Sequence, residues 1–283
     1  MQEKIELVQV RSLGEIIEDG ILFFKQNWRV LIKAYFTICG FFWLAGTSSA
    51  IINQLQEVQR LENGESRVGP FYFFGIIFDV LGLTMLTLTV LSFMSLYKEK
   101  GNEAPTVAEV WAYVKYYFFR AFGTAIVLIA AILVGFVCCI IPGIYLWGVF
   151  LLILPIMVFE NGTLGYSFNR SFQLIKNNWW HTFGAIVVIY FIIAAAMIAV
   201  SIPVEFIVFG VSFLTKNSSM QTYTLVYLVI IHLMQFTYVL PVIVAALVYF
   251  SLNEQKDDAS LLARIQKLGK HDAQADQSPA EDY

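Results

Sequence analysis

Charge is scarce in this sequence: Asp, Glu, Lys and Arg make up 14% of its 283 residues. A soluble domain carries about 25%. Hydrophobic residues fill the gap at 58%, and they come in long runs. That pattern excludes disorder for most of the chain. A net charge of −3, with no large basic cluster, gives no support to nucleic-acid binding. Cysteine and histidine are also few. Cys39, Cys138 and Cys139 all lie in apolar runs without redox or ligand spacing, and His181, His232 and His271 are scattered. No metal site is expected from them, and the cysteines read as packing residues. There is no GxSxG, no HExxH, no Walker-type loop and no pair of acids inside an apolar run. The reading is a non-enzymatic chain that needs no cofactor.

The opening MQEKIELVQVRSLGEIIEDG lacks the basic flank, apolar stretch and small-residue cleavage site of a signal peptide. The first apolar run is expected to act as an uncleaved signal anchor.

The apolar runs themselves are long enough to cross a bilayer. A hydrocarbon core of about 30 Å needs roughly 20 apolar residues as helix. Such runs occupy 28–50, 71–97, 118–140, 143–160, 179–208 and 222–251. The expected fold is an all-α polytopic bundle of about six transmembrane helices. A turn is expected at Ile140-Ile141-Pro142-Gly143, between the third and fourth spans. Kinks are expected at Pro203 and Pro241.

Lysine and arginine set the orientation. With six spans, Arg60, Arg67 and Lys216 fall on one side, and the other 15 of the 18 basic residues fall on the side of both termini. Both termini are therefore expected in the cytoplasm. Trp28, Trp179 and Trp180 sit where an aromatic belt meets the cytoplasmic headgroups.

Segments 12–38 and 163–189 align without gaps. They share Leu13/Leu164, Gly14/Gly165, Lys25/Lys176, Asn27/Asn178, Trp28/Trp179, Ala34/Ala185 and Ile38/Ile189. A shorter copy begins at Thr106. Each copy opens with a one-sided stripe at helical spacing: Leu13, Ile16, Ile17, Gly20 and Phe24; Val107, Val110, Trp111 and Val114; and Leu164, Phe168, Ser171, Phe172 and Ile175. Three amphipathic helices are expected along the cytoplasmic face, over 12–26, 106–117 and 163–177, turning sharply into the membrane near Trp28, Phe118 and Trp179. They pack on the ends of the spans, lie on lipid, or both. The units become 12–97, 106–160 and 163–251, in parallel rather than inverted repetition. After residue 251 the composition turns polar. A short helix is expected near 258–268, followed by a disordered acidic tail.

Two residues stand out inside the spans. Asp79 lies in FYFFGIIFDVLGL, where a carboxylate at mid-membrane costs about 2.5–3.5 kcal/mol. It either serves a function or reaches water at the outer boundary. His232 lies well inside the sixth span and reads first as a packed, hydrogen-bonded neutral ring. Glu205 is expected near the outer boundary, solvated.

Segment IPGIYLWGVFLLILPIMVFENGTLGYSFNRSFQLIKNNWW, residues 141–180, carries a more particular pattern. Pro142-Gly143-Ile144-Tyr145-Leu146, Pro155, Glu160, Arg170-Ser171 and Trp179 or Trp180 follow in order. It resembles the membrane domain attached to some bacterial glycerophosphodiester phosphodiesterases, and related stand-alone inner-membrane proteins. The N-terminal LGEIIEDGILFFKQNW is similar to their opening. The resemblance implies a six-span bundle in the bacterial cytoplasmic membrane, but no catalysis, because the fused enzymes carry their chemistry in a separate soluble barrel. A stand-alone chain without that barrel is expected.

Physically, Glu160 and Arg170 are expected to pair across the short ENGTLG turn, with Thr163 capping the next helix. The alternative places Arg170 and Lys176 on lipid phosphate. Two functions remain open. The one read first is a membrane scaffold or accessory subunit with lipid contacts at the cytoplasmic interface, and with other membrane proteins as candidate partners. The other is a transporter or channel for a small or lipid-like substrate. A cavity reaching Asp79 or His232 favours the second, and a dry bundle favours the first.

Overall fold

Runs free of helix breakers fold as long helices, and the computed structural model of the chain, which describes residues 4–62, 68–138, 140–215 and 220–275, contains six that are long and apolar enough to cross a membrane. The protein is an all-α polytopic bundle. In chain order the helices are α1 (Leu13–Glu62), α2 (Pro70–Glu99), α3 (Val107–Cys138), α4 (Ile140–Phe150), α5 (Ile153–Phe159), α6 (Leu164–Ile175), α7 (Trp179–Thr215), α8 (Met220–Met234) and α9 (Val239–Ala275). A 3₁₀ turn over Gln235–Tyr238 joins α8 to α9. Among the described residues there is no strand. α4 with α5 forms the fourth crossing, and α8 with the first half of α9 forms the sixth.

The two halves of the bundle are packed differently. Every residue of α2 from Leu88 to Tyr97 is buried, as is every residue of α9 from Ile243 to Leu252. These stretches form the axis of the half that contains the N-terminus of α1. Phe23 meets Phe93 and Tyr97 there edge to face, with Phe23 and Tyr97 centroids 5.1 Å apart. In the other half α2 opens: Phe73, Phe74, Ile76 and Ile77 are exposed, as are Phe206, Ile207 and Phe209 of α7. Lipid is as apolar as leucine, so close fit rather than water exclusion holds such helices together. One such fit joins α3 to α4. A Cβ on Gly143 would stand 2.8 Å from the Phe136 ring, and one on Gly135 would stand 3.3 Å from the Gly143 Cα.

An N-terminal strap closes the packed half. Ile5 and Leu7 are buried, and the Arg11 side chain is 0% exposed. Arg11 Nε donates to Asp19 Oδ2 at 2.8 Å, Nη1 to the Leu7 carbonyl at 2.8 Å and Nη2 to the Glu6 carbonyl. Its backbone N–H donates to Ser251 Oγ on α9 at 2.9 Å.

Several expectations need correction. The chain does not turn near Trp28 or Phe118: α1 and α3 run through both points as unbroken helix. Nothing between residues 13 and 62 breaks a helix, and Asn27 bonds its own turn, donating from Nδ2 to the Phe23 carbonyl at 3.0 Å. At 50 residues and 1.5 Å per residue, α1 spans about 75 Å, far more than the membrane core. Only the copy at 163–177 gives a separate helix, α6. Its most buried positions are Ser167, Ser171, Leu174 and Ile175. Small serines face inward, so the helix comes close enough for Ser171 Oγ to donate to the Val149 carbonyl. Phe168, assigned to the inner stripe, is exposed.

Pro142 and Gly143 do not form the turn between the third and fourth spans. They lie in the first turn of α4, where a proline's missing N–H breaks no helical bond. The fourth span is broken instead at Leu151-Leu152. Pro155 cannot donate to the Leu151 carbonyl there, and α5 starts anew at Ile153. At Pro241 the expected irregularity is present: the 3₁₀ turn over Gln235–Tyr238 interrupts the sixth crossing just before it, whereas α7 continues across Pro203. The short helix near 258–268 is not separate: α9 runs unbroken to Ala275. The acidic tail from residue 276 lies outside the described residues.

Candidate functional site

Asp79 is the sole charged residue of α2 between Phe71 and Tyr97. It lies nine residues after Pro70, about 14 Å along the helix, in the looser half of the bundle. Its side chain is 49% exposed. Opposite stands His232 of α8, which is 5% exposed, with Nε2 4.0 Å from Asp79 Oδ1. Gln235, three residues on, donates from Nε2 to the same oxygen at 3.2 Å. The two polar residues singled out in separate spans therefore share one site.

The surrounding elements hold this arrangement. Trp43 of α1 donates from Nε1 to the His232 carbonyl at 2.6 Å, where the helix gives way to the 3₁₀ turn. His232 Nδ1 lies 2.8 Å from the Leu228 carbonyl. A carbonyl can only accept, so Nδ1 carries a proton. In the neutral ring Nε2 is then an acceptor, and it has no hydrogen-bond partner although it is buried. Gly46 makes room for the carboxylate, since a Cβ there would stand 3.0 Å from Asp79 Oδ1.

Asp79 and Gln235 line a cavity of about 440 Å³ between α1, α2, α7 and the 3₁₀ turn. Most of its remaining wall is aromatic: Tyr35, Phe42, Trp43, Phe78, Tyr190 and Tyr238. A second, apolar cavity of about 270 Å³ shares Leu83, Tyr190 and Tyr238 with it. Glu205 is exposed, at the edge of a cavity between α7 and α8.

A second polar cluster lies at the packed end. Arg170 Nε lies 3.5 Å from Glu160 Oε1, with side chains 20% and 18% exposed. Tyr249 donates to Glu160 Oε1 at 2.9 Å, and Tyr166 donates to Oε2. Arg170 Nη2 donates to Asn253 Oδ1 at 2.6 Å, tying α6 to α9. The Glu160 carboxylate that accepts from Tyr166 raises that phenol's pKa. The turn that brings α6 back is built by its sequence. Asn161 takes φ 49°, a conformation asparagine tolerates. Gly162 is required, because a Cβ would stand 2.6 Å from the Tyr166 ring. Thr163 caps α6, accepting from the Tyr166 N–H at 3.4 Å. Arg120 of α3 clamps the turn from outside, donating to Asn161 Oδ1 at 3.0 Å.

Lys176 stands exposed at the end of α6, apart from the Glu160 cluster. Trp180 and Trp28 are exposed, as a belt requires, but Trp179 packs inward, stacked on Phe183 at 4.8 Å and Tyr145 at 5.8 Å. Sequence reasoning missed Trp43, Gln235, Tyr249, Asn253 and the buried role of Arg11. Gln235 carried a signal, since it lies one helical turn from His232. The others are apolar-run or tail residues whose partners are distant in sequence. Among the described residues no group of His, Cys, Asp and Glu is arranged to hold a metal ion.

No protein family, no curated protein and no solved structure matches this chain. The resemblance over residues 141–180 therefore rests on the residues that carry it.

Proposed function

We propose that this multi-pass membrane protein is a transporter or channel of the bacterial cytoplasmic membrane that admits a small solute to Asp79. One observation carries the reading: a cavity of about 440 Å³, in the open half of the bundle, reaches an intramembrane carboxylate. A charge kept at such a place marks a solute path more often than a fold requirement. The basic asymmetry supports cytoplasmic termini, which puts Asp79 in the outer half of the membrane. The resemblance over residues 141–180 supports the bacterial inner membrane. No catalysis is assigned to the chain.

The test is thiol labelling in a background with Cys39, Cys138 and Cys139 replaced by Ala. Asp79→Cys and Gln235→Cys should react with the membrane-impermeant methanethiosulfonate ethylsulfonate in intact cells. Val127→Cys, on the exposed face of α3, should not. No reaction at either cavity position sinks the proposal.

A scaffold or accessory role has one observation of its own. α9 continues as helix to Ala275, well past the buried stretch that ends at Leu252, and offers a docking element. Affinity purification from native membranes in mild detergent tests it: a stoichiometric membrane partner supports it, and lipid alone does not.

A further inference from the structure

We infer that the cavity beside Asp79 binds a small monovalent organic cation, an alkylammonium, held by the carboxylate within an aromatic cage. The inference rests on the transport reading above and names its substrate class.

The carboxylate is under-used. Gln235 and His232 both address Oδ1, at 3.2 and 4.0 Å, and no protein group donates to Oδ2 among the described residues. An ionised carboxylate has about four acceptor sites. Left so in a membrane it calls for a compensating charge. No lysine or arginine of the described residues lies within ion-pair distance of it, and its side chain, 49% exposed, is open to a ligand that brings that charge.

The wall decides what kind of cation. A hard inorganic ion such as calcium takes six or more oxygen ligands. Here one carboxylate, one amide and a few phenols are set among aromatic rings. Aromatic faces within about 6 Å attract an organic cation electrostatically and cover its alkyl surface. An anion is repelled by Asp79, and a polyhydroxylated neutral solute finds too few polar partners. The volume, about 440 Å³, falls within the usual range of roughly 300–1,000 Å³ for small-ligand sites.

The unused oxygen refines the choice. An ammonium bearing N–H groups can donate to the Asp79 oxygen that no described group addresses, which a quaternary ammonium cannot. The cage therefore favours primary over quaternary amines.

The test uses the full chain in lipid nanodiscs, with thermal stability followed against ligand concentration. n-Butylammonium chloride should raise the melting temperature in a saturable way. Its neutral isostere 1-butanol, and sodium chloride at equal ionic strength, should not. Asp79→Asn should weaken the apparent affinity roughly tenfold or more. Should that variant fail to run as a single species by gel filtration, Phe78→Leu decides, with a smaller loss expected. Asp79→Asn should also abolish the preference for n-butylammonium over tetramethylammonium. A response equal to that of 1-butanol, one that survives Asp79→Asn or Phe78→Leu unchanged, or no response at all overturns the inference. Thiol labelling at residue 79 without cation binding removes the substrate class and leaves the solute path standing. No labelling removes both.

Discussion

Glu160 and Asp79 each face a basic side chain, and they are used in opposite ways. Glu160 is heavily used: Tyr166, Tyr249 and Arg170 all address it, and Arg170 is itself tied to Asn253. Asp79 takes one hydrogen bond from Gln235 and faces a histidine at 4.0 Å beside open space. A carboxylate with three of its roughly four acceptor sites filled fixes geometry, because its capacity is committed within the fold. An unsaturated one keeps capacity for something that arrives later. Glu160 therefore reads as a lock between the fourth crossing, α6 and α9, and Asp79 as a site. The packing agrees, since the lock lies in the half of the bundle where α2 and α9 are buried on all sides, and the site lies where α2 opens.

The sharpest way to stress the packed half is Arg11. Its side chain is fully buried and bonded to Asp19 and to the Glu6, Leu7 and Gln9 carbonyls, so Arg11→Met removes the donor from all four. The expected loss is about 3 kcal/mol, in the range for one partner removed from a buried pair. It should show as a large fall in melting temperature in detergent. A fall no greater than that of an exposed substitution would show that the strap is not part of the folded unit.

Glu160→Gln and Arg170→Gln test the lock directly. Each should cost about 2 kcal/mol, less than at Arg11 because the pair keeps some access to water. The double variant should cost less than the sum, with a coupling of about 1 kcal/mol. Strict additivity would break the comparison, leaving Glu160 no more a lock than Asp79 is.

Asp79→Asn should do the reverse of the Glu160 variants. It removes a charge that the fold leaves uncompensated, so stability should hold within about 0.5 kcal/mol or rise. A loss as large as that of Glu160→Gln would make Asp79 structural.

The sequence was legible where one residue type decides the outcome alone. Apolar run length located the six crossings, and Thr163, Asn161 and Gly162 announced the turn that brings Arg170 back to Glu160. It was less legible where a distant partner decides. The Lys-x-Asn-Trp pattern at Lys25 and Lys176 is the clearest case. The first copy continues as helix through Asn27, whereas the second breaks over Lys176–Asn178 and seats Trp179 on Tyr145 and Phe183. The same local signal takes two backbones because α4 receives one tryptophan and nothing receives the exposed Trp28. Prolines misled for a related reason. Pro142 opens a new span, where its missing donor costs nothing, whereas Pro155 and Pro241 fall inside crossings and mark the breaks at Leu151-Leu152 and Gln235–Tyr238. That Asp79 and His232 meet could not be read from their separate runs, because the register between α2 and α8 is set by packing.

The smallest effect on stability is expected at Lys176, and it sharpens the comparison by separating lock from lipid contact. Lipid phosphate held by Arg170 and Lys176 together is the alternative to a Glu160–Arg170 pair; Arg170 is committed to Glu160 and Asn253, whereas Lys176 stands exposed at the end of α6. The prediction for lipid contact is therefore placed on Lys176. In phosphatidylcholine nanodiscs Lys176→Gln should change stability by about 0.5 kcal/mol or less, as exposed substitutions do. In nanodiscs rich in phosphatidylglycerol the wild-type chain should gain an increment that the variant lacks, about 1 kcal/mol for one basic residue near the headgroups. That increment should shrink as salt is raised, because an exposed charge is screened beyond about 8 Å at physiological ionic strength. Lys176→Arg should keep it, since charge rather than shape is at work. An anionic-lipid gain that is the same in Lys176→Gln as in the wild-type chain would end the assignment. The phosphate contact would then pass to other basic side chains at that end of the bundle.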